Sequence, residues 1–281
     1  AVLPAPVSFP HPYFTGHPRW RQEGTQIIAH RGGWRLWPEH TLAGYQRAVD
    51  LGVDALELDV QRTADGVMVV FHDSRVDRST DGTGRVDSFT FAQLQQLDAG
   101  FHWSAEGDTT HPFRGQGLQI PALDEVLQRF PAQHMVIELK SDDAATAQQL
   151  CGLLQAHNHE ERAIVAAFST DALTFFRQAC PKVATSASSA EATSYWILHL
   201  LRLDLFARPA FEALQIPETL GPLTIVDERF VNVSQGRGLP VQVWTVDEEQ
   251  SMKRLMQLHV QAIITRRPDR LLGLLQSQGQ R

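Results

Sequence analysis

Short apolar runs rich in valine, isoleucine and alanine recur along this chain at 26–30, 55–61, 67–72, 135–140, 163–169, 183–188, 213–217, 241–246 and 262–265. Segments of helical period fall between most of them, at 41–51, 91–97, 123–130, 144–157, 171–180 and 247–258. Strands that alternate with helices return to the sheet in the same direction, so the pattern requires a mainly parallel sheet. The run at 67–72 is the exception. Only the residues from Arg62 to Gly66 precede it, too few for a parallel crossover, so an antiparallel hairpin turning at Asp65-Gly66 is predicted. With that return strand set aside, eight strands remain, and they fit a closed (β/α)8 TIM barrel better than an open doubly wound sheet.

A chain of 281 residues with 43% apolar and 20% charged residues can bury a large core, and such barrels occupy about 250 residues as one unit. The expected organisation is an N-terminal arm over 1–24 and a barrel over 25–281. An insertion at about 73–120, between the second and third barrel strands, is expected to wall the pocket with short helices. A net charge of -7 without long like-charged blocks gives no footprint for nucleic acid or for an anionic membrane surface. Cys151 and Cys180 share no ligand spacing and read as ordinary thiols rather than a disulfide. No apolar run reaches the roughly 18 residues of a bilayer-spanning helix. The chain opens at Ala1 with an irregular proline-rich stretch to Arg21, which is compatible with an upstream signal or anchor and leaves the compartment open.

Polar residues gather where strands should end: His30 and Arg31, Glu57 and Asp59, His72, Glu138 and Lys140. Alternation along a strand puts Glu57 with Asp59, and Glu138 with Lys140, on one face. Any one of these acids, taken singly, is best read as an ion pair with Arg31, Arg62, Arg75 or Lys140. Three that converge repel one another unless a cation intervenes, and a set of oxygen donors selects a hard ion, Ca2+ or Mg2+. His30 beside Arg31 and Gly32-Gly33 suits an anion pocket. Two histidines facing such a cluster are what phosphoester cleavage needs, one to accept a proton and one to donate it.

The motifs "IIAHRGG" (27–33), "PEHTLAGYQRAVDLGVDALELDVQRTADGVMVVFHD" (38–73), "DRSTDGTGRV" (77–86), "IELK" (137–140), "VWTVDEEQSMKRLM" and "IITRRP" together resemble the glycerophosphodiester phosphodiesterase family, over about 25–275. The resemblance implies a barrel in which His30 and His72 are the catalytic acid and base. It implies metal ligation by Glu57, Asp59 and Glu138, and phosphate contact by Arg31 and Lys140. Trp244 resembles the aromatic that packs on the glycerol moiety, with a core tryptophan as the alternative, and Glu39 is a supporting residue. The expected reaction is in-line displacement giving sn-glycerol 3-phosphate and an alcohol, by direct water attack or through a cyclic phosphate.

Two departures from the family pattern stand out. His40 replaces the usual asparagine after Glu39, which implies an adjustment behind the site, and Arg266 replaces an aspartate, which is expected to loosen support for the last loop. Rival readings are lysophospholipase D-type activity, a cyclic-phosphate-forming phospholipase lyase, and a barrel that only binds phosphodiesters. The apolar stretch 195–211 admits an acyl-chain path or peripheral membrane contact, although a buried barrel helix is the plainer reading.

Overall fold

The computed structural model describes residues 11–16 and 24–281. Nine strands form one sheet: β1 (Gln26–Ala29), β2 (Ala55–Arg62), β3 (Met68–Val70), β4 (His134–Leu139), β5 (Ala163–Ala166), β6 (Ala184–Thr185), β7 (Leu214–Pro217), β10 (Val241–Trp244) and β11 (Ala262–Thr265). A small hairpin, β8 (Thr219–Leu220) with β9 (Leu223–Thr224), follows β7. The order β6-β5-β4-β2-β1-β11-β10-β7 is parallel throughout, with β3 pairing antiparallel on β2. The two ends of this order meet. Ser186 bridges Ala213 in parallel, and Glu212 N–H donates to Thr185 O at 2.9 Å, so eight strands close into the expected barrel.

The helices are α1 (Pro12–Thr15), α2 (Leu42–Leu51), α3 (Phe91–Leu94), α4 (Leu123–Arg129), α5 (Ala144–Ala156), α6 (Thr170–Ala179), α7 (Ser189–Leu200), α8 (Glu228–Gly236), α9 (Glu249–Gln257) and α10 (Pro268–Ser277). Each of the eight barrel strands is followed by a helix. Several of these helices start just past a strand's carboxyl end on a side chain that accepts a backbone N–H, as Thr41, Asp143, Ser169, Ser188 and Asp227 do. A capped first turn stops the strand within a few residues and leaves its last side chains facing the barrel mouth. The strand expectations at 163–169 and 183–188 run too long for this reason, because Ser169 and Ser188 belong to helix caps.

Apolar residues from the strands' outer faces and the helices make the main core, while Ile28, Ala55, Val136, Ile164, Ala184 and Ala262 belong to a separate buried cluster that also takes in Tyr13. The N-terminal stretch is not wholly irregular, since α1 forms a helical turn. Tyr13 is fully buried, its ring edge-on to His134 at the start of β4 with centroids 4.9 Å apart. His11 Nε2 lies 2.9 Å from Lys182 O, just before β6, so α1 caps the amino ends of the strands. The rest of the arm, residues 1–10 and 17–23, lies outside the described residues.

Between β3 and α4 the chain wraps a small core of its own, with Val69, Phe71, Val76, Val86, Leu94 and Ile120 buried. Its helical content is short, α3 and a single 3-10 turn at Val86–Ser88.

One expectation fails in the helical layer. Cys151 on α5 and Cys180 at the end of α6 are joined in a disulfide, with Cα atoms 5.5 Å apart. Two packed helices bring together thiols 29 residues apart, a proximity that no local spacing signals.

Candidate active site

The register of β2 against β4 pairs Glu57 with Val136 and Asp59 with Glu138, so the acids of the two strands stand side by side. Their side chains converge: Glu57, Asp59 and Glu138 each offer an oxygen within 4.8 Å of the other two. Glu57 and Asp59 are buried. The hairpin adds His72 to this edge, because Phe71 N–H donates to Asp59 O at 3.0 Å. The next side chain therefore stands beside the acids, close enough for the charges of His72 and Asp59 to act on each other.

β1 supplies the facing group. After Ala29 the chain turns through His30, Arg31 (φ 50°), Gly32 (φ 81°) and Gly33 (φ 91°). At Gly32 the positive φ goes with a close approach, since a Cβ there would sit 3.0 Å from the Tyr45 ring. This tight turn aims Arg31 N–H at Glu57 Oε2, 2.7 Å away, and leaves His30 Nε2 3.8 Å from the same oxygen. Among the described residues His30 Nδ1 has no hydrogen-bond partner.

Lys140 and Arg31 are turned toward acids. Lys140 Nζ lies 2.5 Å from Glu138 Oε1 and 2.8 Å from Asp59 Oδ1. Arg31 Nε lies 3.6 Å from Asp59 Oδ2, and its NH1 donates to Glu39 Oε1 at 3.3 Å. Glu39 in turn accepts from both terminal nitrogens of Arg78, at 2.9 and 2.6 Å, and so ties the loop after β3 to the loop after β1. Trp244, at the carboxyl end of β10, is half-buried against the barrel interior and meets Phe168 edge-on, ring centroids 5.8 Å apart.

The electrostatics follow from burial. Desolvation, then Asp59 and Glu138, push the Glu57 carboxyl well above the usual range. Glu138 is pushed up by burial and by Asp59. Burial acts on Asp59 too, but the hydrogen bond and charge of His40 and the Lys140 ammonium outweigh it and hold its carboxyl far below normal. Burial and then Arg31 push His30 well below its ordinary value, which keeps its ring neutral near pH 7. His72 is lowered chiefly by burial. Three crowded oxygen donors, one of them hard to ionise without further positive charge, are a set that fits a hard divalent cation.

Sequence reasoning marked His40 only as a departure behind the site and did not single out Asp73, Arg78 or Phe168. His40 is fully enclosed, its Nε2 2.8 Å from Asp59 Oδ2 and its Nδ1 2.7 Å from the Tyr45 hydroxyl. Asp73 lies with Oδ1 2.6 Å from His72 Nδ1, and its position next to the histidine was the available signal. Arg78 stood in the 77–86 motif without a role assigned to it, and Phe168 carried no signal. Arg266 corrects an expectation: it does not loosen the last loop, because its backbone N–H donates to Asp247 Oδ1 at 2.9 Å and its guanidinium pairs with Asp247 Oδ2. The segment 195–211 qualifies another. Of α7 only Tyr195 and His199 are buried, Trp196 and Leu198 pack on the core from partly buried positions, and Ile197 and Leu200 face outward, so it is a barrel helix buried on one side only.

Residues 30–270 match the profile of the glycerophosphoryl diester phosphodiesterase family. The chain is 32% identical over 261 residues to a glycerophosphodiester phosphodiesterase of Caldanaerobacter subterraneus subsp. tengcongensis, covering 91% of this chain and 99% of that one. Among solved structures, a glycerophosphodiester phosphodiesterase from Agrobacterium tumefaciens superposes with a TM-score of 0.71 at 25% identity, over 89% of this chain and 99% of that one. A phosphodiesterase of Oleispira antarctica, in complex with the product sn-glycerol-3-phosphate, superposes with a TM-score of 0.70 at 25% identity, over 90% and 97% of the two chains.

Proposed function

The chain belongs to the glycerophosphoryl diester phosphodiesterase family and is a phosphoric diester hydrolase, and from that premise we propose that it cleaves glycerophosphodiesters to sn-glycerol 3-phosphate and an alcohol with His30 and His72 moving the protons. Glu57, Asp59 and Glu138 would hold one divalent cation, Ca2+ or Mg2+. Such an ion, when bound, neutralises the acids and withdraws charge from the phosphoryl oxygens. The observation that carries this reading is the meeting of a half-buried neutral imidazole, a second imidazole and three acids at one end of the barrel.

His30 is available to accept a proton because burial keeps its ring neutral near pH 7, and its Nε2 stands at the edge of the acid cluster. Asp73 fixes the ring of His72 through Nδ1 and leaves Nε2 for the substrate. One imidazole takes the proton of the attacking oxygen, and the other gives a proton to the departing alcohol oxygen. Arg31 and Lys140 lie where they can exchange a carboxylate for phosphate oxygens, and Trp244 with Phe168 offers an apolar wall for the glycerol carbons. A groove of 880 Å3 beside the cluster, lined in part by His72 and Lys140, leaves room for the alcohol.

Glycerophosphocholine cleavage, followed by phosphorus NMR, tests the proposal. Turnover should stop on chelation, and His30→Ala and His72→Ala should each lose about a hundredfold or more in turnover while binding the cation with wild-type affinity. Near-normal turnover in either variant, or a cyclic ester that persists as the product, would falsify the assignment.

A further inference from the structure

On the outside of the barrel Ile197, Leu200, Leu201, Leu203, Leu205 and Phe206 all stand exposed within one short stretch. Scattered apolar side chains on a surface are ordinary, but a contiguous group is not. Leu205 and Phe206, 70% and 74% exposed, sit together in a one-turn 3-10 helix at Asp204–Phe206. Side chains this exposed protrude into solvent rather than line a groove.

The topology locates the patch. Ser189 N–H bonds Phe168 O near the strands' carboxyl ends, and α7 then lies along α8, with Tyr195 reaching Ser234 near the end of α8 and His199 reaching Phe230 and Asp227 at its start. The loop from Leu201 to Glu212 then enters β7 from below. It is held by Arg237, just past α8, which donates to Asp204 O at 2.8 Å and to Ala207 O at 2.6 Å. The patch therefore lies on the outer flank of the barrel beside α8, with Asp204 held by Arg229 from one end of that helix and by Arg237 from the other.

Along the segment itself the charge is one-sided in a chain of net charge -7, with Asp227 of the neighbouring α8 start standing 3.6 Å from His199 Nε2. Asp204, the one acid between 195 and 211, is buried and occupied by His199, 2.8 Å away, and by Arg229. Arg202 and Arg208 flank the apolar residues, exposed and without an ion pair among the described residues. Arg202 also adopts φ 59° just beyond α7, a left-handed position that glycine would fill with less strain. Protruding leucine and phenylalanine between unpaired arginines complement a surface with an apolar interior and a negative face.

We propose that this flank of the barrel docks on an anionic phospholipid bilayer, with Leu205 and Phe206 entering the boundary between headgroups and acyl chains and Arg202 and Arg208 meeting the phosphates. The contact is peripheral, since no helix among the described residues is long and apolar enough to cross a membrane.

Cosedimentation of the full chain with vesicles of phosphatidylcholine, alone or mixed with phosphatidylglycerol, tests this independently of the catalytic assignment. The chain should pellet with the anionic vesicles. Leu205→Ser with Phe206→Ser should weaken that binding by about tenfold or more, and Arg202→Gln with Arg208→Gln should abolish the preference for phosphatidylglycerol and its sensitivity to salt. Both variants should turn over soluble glycerophosphocholine at the wild-type rate, which also reports that they are folded. Failure of the wild type to pellet with anionic vesicles, or equal binding by the apolar variant, overturns the proposal. So does a wild-type dimer in solution that the apolar variant converts to monomer, because the patch would then be a protein interface.

Discussion

Glu57 is the residue whose charge fits the protein least well. Its folded carboxyl is pushed upward by burial and by Asp59 and Glu138, so the folded chain favours the protonated acid. Stability tied to this group is therefore present at and below the ordinary carboxylate range near 4.5 and drains away as the pH rises above it. Without a divalent cation, Glu57→Gln should be more stable than the wild type at pH 8 by about 1–3 kcal/mol, the scale of a buried polar group left unmatched. Urea unfolding in chelator measures it, and a less stable variant would sink the picture. The acids themselves are legible in the sequence, because strand alternation alone brings Glu57 to Asp59 and Glu138 to Lys140. The groups that hold them are not. His40 reaches Asp59 from 19 residues away and Arg78 reaches Glu39 across 39, contacts set by where two loops cross rather than by any local pattern.

At the scale of elements, turn chemistry and apolar period were enough to place the hairpin. Gly66 adopts φ 79°, and Val60 pairs with Val70 as the short connection requires. The exposed face of α7 was not legible, because a run of apolar residues looks the same whether its outer side meets protein or water. The α5–α6 pair was likewise hidden. Its disulfide closes a loop of 29 residues, worth about 3–4 kcal/mol in the chain-entropy account. Cys151→Ala with Cys180→Ala should lower the melting temperature by several degrees, and reductant should lower the wild type but leave the variant unmoved. His159, after α5, is fully buried, with Nε2 2.9 Å from Gln133 O and Nδ1 unpartnered among the described residues. Burial pushes its pKa down to about 4, from an ordinary value of 6.5. The unfolded chain binds this proton first as the pH falls, so stability is full above 6.5 and declines toward 4, by about 3 kcal/mol for this group. His159→Gln keeps a donor for Gln133 O, and chemical denaturation at pH 7 and pH 4.5 should show most of that decline removed.

Over the whole molecule, a ligand that binds only the folded barrel must raise its melting temperature. A cation at one hundred times its dissociation constant adds about 2.7 kcal/mol, or roughly 5 °C for a chain of this size. Thermal scans in Ca2+, Mg2+ and chelator should show that rise in the wild type and lose it in Glu57→Gln; identical curves in all three conditions would remove the case for a resident ion. The eight-stranded closure was readable from strand count, whereas the seam between Ser186 and Ala213 and the turn of helix beneath it depend on contacts that only the folded chain reveals. That turn has a consequence for traffic. With Tyr13 plugged among the interior residues, the described part of the barrel is stoppered at its floor and open at the mouth that holds the acids. A diester that enters must send both fragments back the way it came, so whichever lingers at the threshold blocks the next arrival.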